Sequence, residues 1–210
     1  GVLTDQGTET ADAIVINEDF GRAMTKLIPD AKRRRWTDKS INSKKYSCST
    51  FMMYLGIEGT LPDKGHHTIF LSEAYDRNFA EIEAGQSLSE EASLYIQNAC
   101  VTDPEQAPAG HSTLYVLMPV GHLRENGLDW NDERRAKARR LVMARLEKAG
   151  FKDIEKRIRF EKIITPADWE ERYDVHKGAV FNLAHNLGQM LHRRPHNRFE
   201  DIKGVYLAGG

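Results

Sequence analysis

Residues 44–57 constrain the fold most, because their side chains alternate along a long extended run. Phe51, Met53, Leu55 and Ile57 fall on one face, and Thr50, Met52, Tyr54 and Gly56 on the other. Similar runs recur at 67–71, 93–100, 112–120 and 157–164, at irregular intervals and broken by helical stretches. The pattern predicts an α+β fold, an antiparallel or mixed β-sheet flanked by helices.

The helical stretches carry their own punctuation. Residues 131–149 set Leu141, Val142, Leu146 and Ala149 on one stripe among Arg and Lys, and Gly150 ends the helix. Thr165 followed by Pro166 is a helix start, with the threonine as cap and the proline in the first turn. Residues 73–84 predict a short helix. Phe20, Ala23, Met24, Leu27 and Ile28 follow the i, i+3, i+4, i+7, i+8 spacing of one helical face. Pro29 ends that helix and starts a second one towards Trp36. Ahead of them, 1–17 reads as a hairpin, with arms at 1–4 and 11–17 about Asp5-Gln6-Gly7. The unbroken apolar run 13–16 predicts a strand covered on both faces.

With 210 residues and 40% apolar composition, the chain is long enough to bury a sizeable core. No apolar run approaches the ~18 residues of a spanning helix. The net charge of -1 provides no global field for nucleic acid, so a polyanion must be met by a local patch. Cys48 and Cys100 are two isolated cysteines in strand-like surroundings, which fits buried thiols in a reducing compartment. The chain opens at Gly1 without an initiator Met and stops at Gly209-Gly210 directly after a strand-like run. It is therefore expected to be cut from a longer one.

Three motifs were weighed for chemistry. His192 and His196 have the i, i+4 spacing of a helical zinc pair, but Pro195 between them spoils the helix, and no Cys lies nearby. Ser47-Cys48-Ser49-Thr50 lacks the Gly-flanked turn that exposes a nucleophile. The basic run Lys32-Arg33-Arg34-Arg35-Trp36 leaves three readings open: a solvated helix face, a phosphate contact, or an interfacial segment whose arginines meet anionic headgroups. In the last third, the small, aromatic and amide residues from Gly178 to Asn186 lead through Arg194-Pro195-His196-Asn197-Arg198 into 204–210. That order suits a flat ligand wedged beside a dinucleotide, or else a helix with Phe181, Leu183 and Leu187 as core.

These segments resemble the bacterial-type phytoene desaturases, the carotenoid desaturase branch of the flavin-dependent amine-oxidase-like superfamily. The resemblance runs through Ala11 to Asp19, Cys48 to Gly56, His66 to Phe70 and Gly110 to Val116. It is most specific at Arg194 to Arg198 and Tyr206 to Gly210. It implies a two-domain flavoprotein, with 1–17 and 201–210 as edge strands of a Rossmann-like FAD-binding domain and 18–200 as the substrate domain. The amino-terminal Gly-rich fingerprint of the family is absent from these residues, so this chain is not expected to hold FAD by itself.

The implied chemistry removes two hydrogens from a polyene, with the flavin taking the hydride. Isomerisation, saturation or oxygenation of a polyene, and a noncatalytic lipid-binding module, are the alternatives. The resemblance also implies substrate contacts at Phe51, Met53, Phe181 and Asn182, and cofactor contacts at Asn17, Gly209 and Gly210. His185 is the expected catalytic group, able to receive a proton or orient the flavin edge, or else a hydrogen-bonded core histidine. The implied partners are a long apolar polyene and an anionic membrane surface met by Arg33, Arg34, Arg35 and Trp36, with no nucleic acid. The implied location is cytoplasmic, peripheral to the inner face of the membrane.

Overall fold

In the computed structural model, which describes residues 1–209, β1 (Val2–Thr4) and β2 (Gly7–Glu9) close a hairpin about the turn at Gly7. The returning arm is thus shorter than the sequence suggests. The 11–17 segment instead contributes β3 (Ile14–Ile16), which pairs in parallel with the last strand, Val205–Leu207. Val15 is exposed on the outer face of β3, so the expected cover on both faces is not present among the described residues. Helix α1 (Phe20–Arg22) runs into a π turn at Ala23–Leu27. The wider turn slips the apolar phase, so that Phe20, Ala23, Met24 and Ile28 are buried while Leu27 is exposed. The expected second helix is one 3-10 turn, Asp30–Lys32, and α2 (Asp38–Ser43) follows it with Thr37 as its cap.

The long alternating run becomes β4 (Ser49–Glu58). It lies between β7 (His111–Val120) and β8 (Ile158–Ile164), and beyond β7 come β6 (Leu94–Gln97) and β5 (His67–Phe70). All four pairings are antiparallel. The faces separate as the two-residue period demands. Phe51, Met53, Leu55 and Ile57 join Leu94, Ile96, Leu114, Val116 and Met118 in one core with Val142 and Leu146 of α4 (Asp132–Lys148). α3 (Tyr75–Ala84) ends at Gly85 in the left-handed conformation, and the short α5 (Ile154–Arg157) leads into β8. α6 (Pro166–Tyr173) starts with a full capping box of Thr165 and Asp168. It covers one end of the opposite sheet face, where Trp169 Nε1 donates to Thr50 O at 3.2 Å. The remainder of that face is open.

A second core gathers Phe20, Met24, Trp36, Ile41, Tyr46, Leu183, Phe199 and Val205, with Ile14, Ile16 and Leu207 against it. Strand residues from both ends of the chain thus pack in this second core. They share one packed unit with 20–46 and 179–205. The final strand, β9 (Val205–Leu207), closes it.

Arg33 and Trp36 of the basic run are buried in this unit, which corrects their membrane-facing assignment, whereas Arg34 and Arg35 lie at its surface in ion pairs. Trp36 is 2% exposed and packs edge-on against Phe20 at 4.9 Å between ring centroids, with Arg35 over its face. Arg33 is buried, donating to Trp36 O and to Asp38 Oδ1, both at 2.7 Å. Arg34 pairs with Asp201 at 2.7 Å. Arg35 reaches Glu200 at 3.4 Å and donates to Arg193 O at 2.7 Å. The run works as a clamp: Arg33 ties together the local turn from Asp30 to Asp38, and Arg34 and Arg35 hold groups between residues 192 and 201. Cys48 and Cys100 are free and half-buried, and burial pushes the Cys48 thiol up.

Candidate functional site

Parallel strands that end side by side leave a crevice at their carboxyl ends, the usual ligand position of open α/β sheets. β3 and β9 do this. Beyond them, a cleft of about 110 Å³ is walled by Glu18, Phe20, Asn182, Arg194, His196 and Gly209. Ala208 N donates to Ile16 O at 2.9 Å, and Leu207 N to Asn197 O at 2.6 Å, which fixes the floor. Gly209 has φ +84°, and a Cβ there would stand 2.5 Å from Asn17 Oδ1. Only glycine leaves the backbone bare at this wall.

Asp19 holds the opposite wall. Its Oδ1 accepts from Arg22 N at 3.0 Å, capping α1, and from His176 N at 3.2 Å. Its Oδ2 accepts from Asn182 Nδ2 at 3.3 Å, and burial raises its pKa above the ordinary carboxylate value. Asn182 has φ +58°, a conformation asparagine tolerates, and its Oδ1 accepts from Leu183 N at 2.7 Å. Arg194 is fixed by donation to Leu183 O at 3.2 Å.

Behind this wall lies a layer of rings at the junction of the two cores. The His176 ring is 5.0 Å from Tyr46, and His122 is 6.2 Å from Tyr46 on another side. Gly21 is required here, because a Cβ would come within 2.6 Å of the His176 ring. Burial, with Arg124 beside His122 and Lys177 and Arg22 beside His176, holds both imidazoles down at about 4. Burial also raises the Tyr46 hydroxyl. Both ring nitrogens of His176 lack a hydrogen-bond partner among the described residues.

Asn182 and Gly209 line the cleft and Asn17 lies against Gly209, while Gly210 lies outside the described residues. It does not bring the other expected residues there. Phe51 and Met53 point into the core against α4, with Phe51 stacked on Trp130 at 5.8 Å. The uncovered part of the other face of β4 begins at Tyr54, since Thr50 and Met52 on that face are buried. Phe181 is half exposed, and His185 is exposed and off the cleft wall. Their segment is a chain of turns in which Ala179 and Leu183 pack as core while Phe181 and Leu187 do not, so no helical face collects these side chains.

The sequence reading missed Glu18 and Phe20, which directly follow β3. It also left out Arg194 and His196, although their motif is the most specific in the chain. Position relative to a strand end was the available signal. On the open sheet face, Tyr54 faces Tyr115 across the β4 and β7 pair, with ring centroids 5.4 Å apart. Tyr95 continues the ladder at 6.0 Å and bonds His67 Nδ1 through its hydroxyl at 2.7 Å.

The arrangement joins an antiparallel five-stranded sheet to a separate parallel pair of strands. A solved oxidoreductase from Methanosarcina mazei shares the fold at TM-score 0.55 and 14% identity, covering 100% of this chain and 40% of that one. No family model matches the chain. Along its whole length, however, the chain is related to the carotenoid desaturases. It is 41% identical over 211 residues to a 4,4'-diapophytoene desaturase (4,4'-diapolycopene-forming) of Methylomonas sp, and 41% over 203 residues to an all-trans-zeta-carotene desaturase of Myxococcus xanthus. It is 36% identical over 214 residues to a neurosporene-forming phytoene desaturase of Rhodobacter capsulatus. The chain spans 41%, 38% and 41% of the lengths of these curated relatives.

Proposed function

We propose that the protein carrying this chain is an FAD-dependent desaturase of a carotenoid-type polyene, and that the chain supplies one wall of the flavin site and the sheet on which the polyene lies. The observation that carries this reading is the cleft at the carboxyl ends of β3 and β9, in a chain whose relatives are carotenoid desaturases. The cleft fits a flat cofactor edge. Gly209 offers bare backbone, Asn17 and Asn182 offer amides, and Arg194 offers a cation held in place from behind. Bound FAD accepts a hydride equivalent from the substrate.

The chain's own residues supply position and dryness. Tyr54, Tyr95 and Tyr115 form an aromatic shelf on the open sheet face, suited to a conjugated chain. The three tyrosines replace Phe51 and Met53 as the proposed substrate contacts, and the exposed His185 has no assigned role. Asn182, buried and fixed by Asp19, orients whatever occupies the cleft.

The test uses the full-length protein, purified and supplied with a C40 or C30 polyene in detergent. Flavin absorption should co-purify, and chromatography should show added double bonds. Gly209→Val should strip the flavin, and Tyr115→Ala should raise KM about tenfold at unchanged flavin content. A protein that retains no flavin and leaves the polyene unchanged would be a lipid-binding module instead.

A further inference from the structure

The open face of the main sheet carries one row of side chains that runs straight across all five strands. Lys162 of β8 stands opposite Tyr54 of β4, Tyr54 opposite Tyr115 of β7, Tyr115 opposite Gln97 of β6, and Gln97 opposite His67 of β5. None of these five residues is buried. At about 4.8 Å between strands the row is about 19 Å long, and it reads cation, phenol, phenol, amide, imidazole. An apolar polyene accounts for the rings in the middle. It does not account for the polar groups at the ends, and the two ends are built differently.

At the β8 end, the Lys162 ammonium donates to the Tyr173 hydroxyl at 3.1 Å and has only further donors to offer. At the β5 end, a chain of three hydrogen bonds sets the Gln97 amide. The Thr102 hydroxyl donates to Ala99 O at 3.1 Å, so its oxygen accepts from His66 Nδ1 at 2.6 Å. His66 Nε2, left with its lone pair, accepts from Gln97 Nε2 at 3.1 Å. The amide is thereby oriented, and Gln97 Oε1 has no partner among the described residues. Beside it, His67 Nδ1 bonds the Tyr95 hydroxyl at 2.7 Å, with the two rings stacked at 5.8 Å. With Tyr95 as the donor of that bond, His67 Nε2 carries the proton, and it too has no partner among the described residues. Residues opposite one another in an antiparallel pair have Cβ atoms about 5 Å apart. An acceptor and a donor without partners thus stand side by side at the end of an aromatic shelf. That pair is the complement of one hydroxyl group, which donates once and accepts.

We propose that the β5 end of the shelf is a subsite for a hydroxyl group at one end of the polyene, which donates to Gln97 Oε1 and accepts from His67 Nε2. The substrate is then unsymmetrical, an alcohol at one terminus. It lies on the sheet in one direction, with the hydroxyl over β5 and the hydrocarbon running over Tyr115 and Tyr54. The proposal rests on the polyene reading of the shelf and names the substrate class within it. His66 and Thr102 are positioning residues, because they turn the amide oxygen of Gln97 away from themselves and towards the ligand. A terminal carbonyl would satisfy His67 but set one acceptor against another at Gln97. The subsite therefore selects an alcohol over an aldehyde as well as over a hydrocarbon.

The full-length protein, supplemented with FAD, tests it on three substrates in detergent: a C40 polyene, its terminal alcohol and its terminal aldehyde. The alcohol should show kcat/KM about tenfold above the hydrocarbon, as two modest hydrogen bonds allow, and the aldehyde should gain less. His67→Phe keeps the stacked ring and Gln97→Met keeps the side-chain length, and each should bring the ratio of alcohol to hydrocarbon close to one. Tyr115→Ala should lower both substrates alike. Binding, followed by the shift of the polyene absorption band, is the second readout and needs no turnover. Equal binding and equal kcat/KM for alcohol and hydrocarbon in the wild type overturn the subsite while leaving the desaturase reading in place. A preference that survives both variants overturns it too, and so does an aldehyde that matches the alcohol. Tighter binding of the alcohol, lost in both variants of a protein that turns over none of the three, supports the subsite and overturns the desaturase reading.

Discussion

Gly178 adopts φ +60°, and a Cβ added there would overlap the carbonyl oxygen of Pro166 at the start of α6. Gly178→Ala therefore combines a disfavoured dihedral with a backbone clash, and should cost about 2 kcal/mol or more in urea unfolding. A change below a few tenths would show that the turn relaxes freely. The histidines make a prediction of opposite character. His122 and His176 are held at about 4, below the ordinary value of 6.5, so the unfolded chain takes up protons before the folded one does. The stability they contribute is complete above pH 6.5 and is lost as pH falls from 6.5 towards 4. The groups facing His176 (Arg22, Lys177, His122, Tyr46 and Asp19) include three that can repel its positive charge. His176→Phe should flatten the acid limb of a Tm against pH curve, and an unchanged limb would remove His176 as its cause. Nothing in the sequence signals this pair, since His122, His176 and Tyr46 come together from three distant segments.

At the level of elements, legibility followed period. All five strands of the main sheet were readable because one covered face enforces two-residue alternation, and α4 was readable from its stripe and its Gly150 stop. Which face of β4 is covered was not readable, because Met52 and Tyr54 are as apolar as Phe51 and Met53. The basic run misled for a different reason: its partners are distant, Asp201 lying 167 residues from Arg34. The clamp predicts an uneven response. Arg33→Gln removes a buried guanidinium that holds a carbonyl and two carboxylates, and should cost about 3 kcal/mol. Arg34 is mostly exposed in its pair, so Arg34→Gln should cost under about 1 kcal/mol. Equal losses in denaturant titrations would mean that the run acts as a simple charge patch.

On the scale of the whole molecule, the resemblance carried what periodicity could not, namely that strands at opposite ends of the chain belong together. The parallel pairing of β3 with β9 joins residues almost two hundred positions apart, and nothing local in either three-residue strand specifies a partner. The two cores meet mainly through Trp169 on Thr50, through the Tyr46 and histidine layer, and through Leu123 N on Lys177 O. A ligand at the β3 and β9 ends should thus stabilise the second core directly and the main sheet only through this narrow junction. At about a thousandfold excess over its Kd, a bound cofactor adds about 4 kcal/mol to whatever opens with its site. Amide exchange of the flavin-loaded protein compared with the stripped protein should accordingly slow most at Leu207 and Ala208, whose N–H groups close the floor of the cleft, and hardly at all in β6 and β7. Protection that rises equally in β6 and β7 would mean that the two cores open as one unit. Protection confined to the sheet would place the cofactor away from the β3 and β9 cleft.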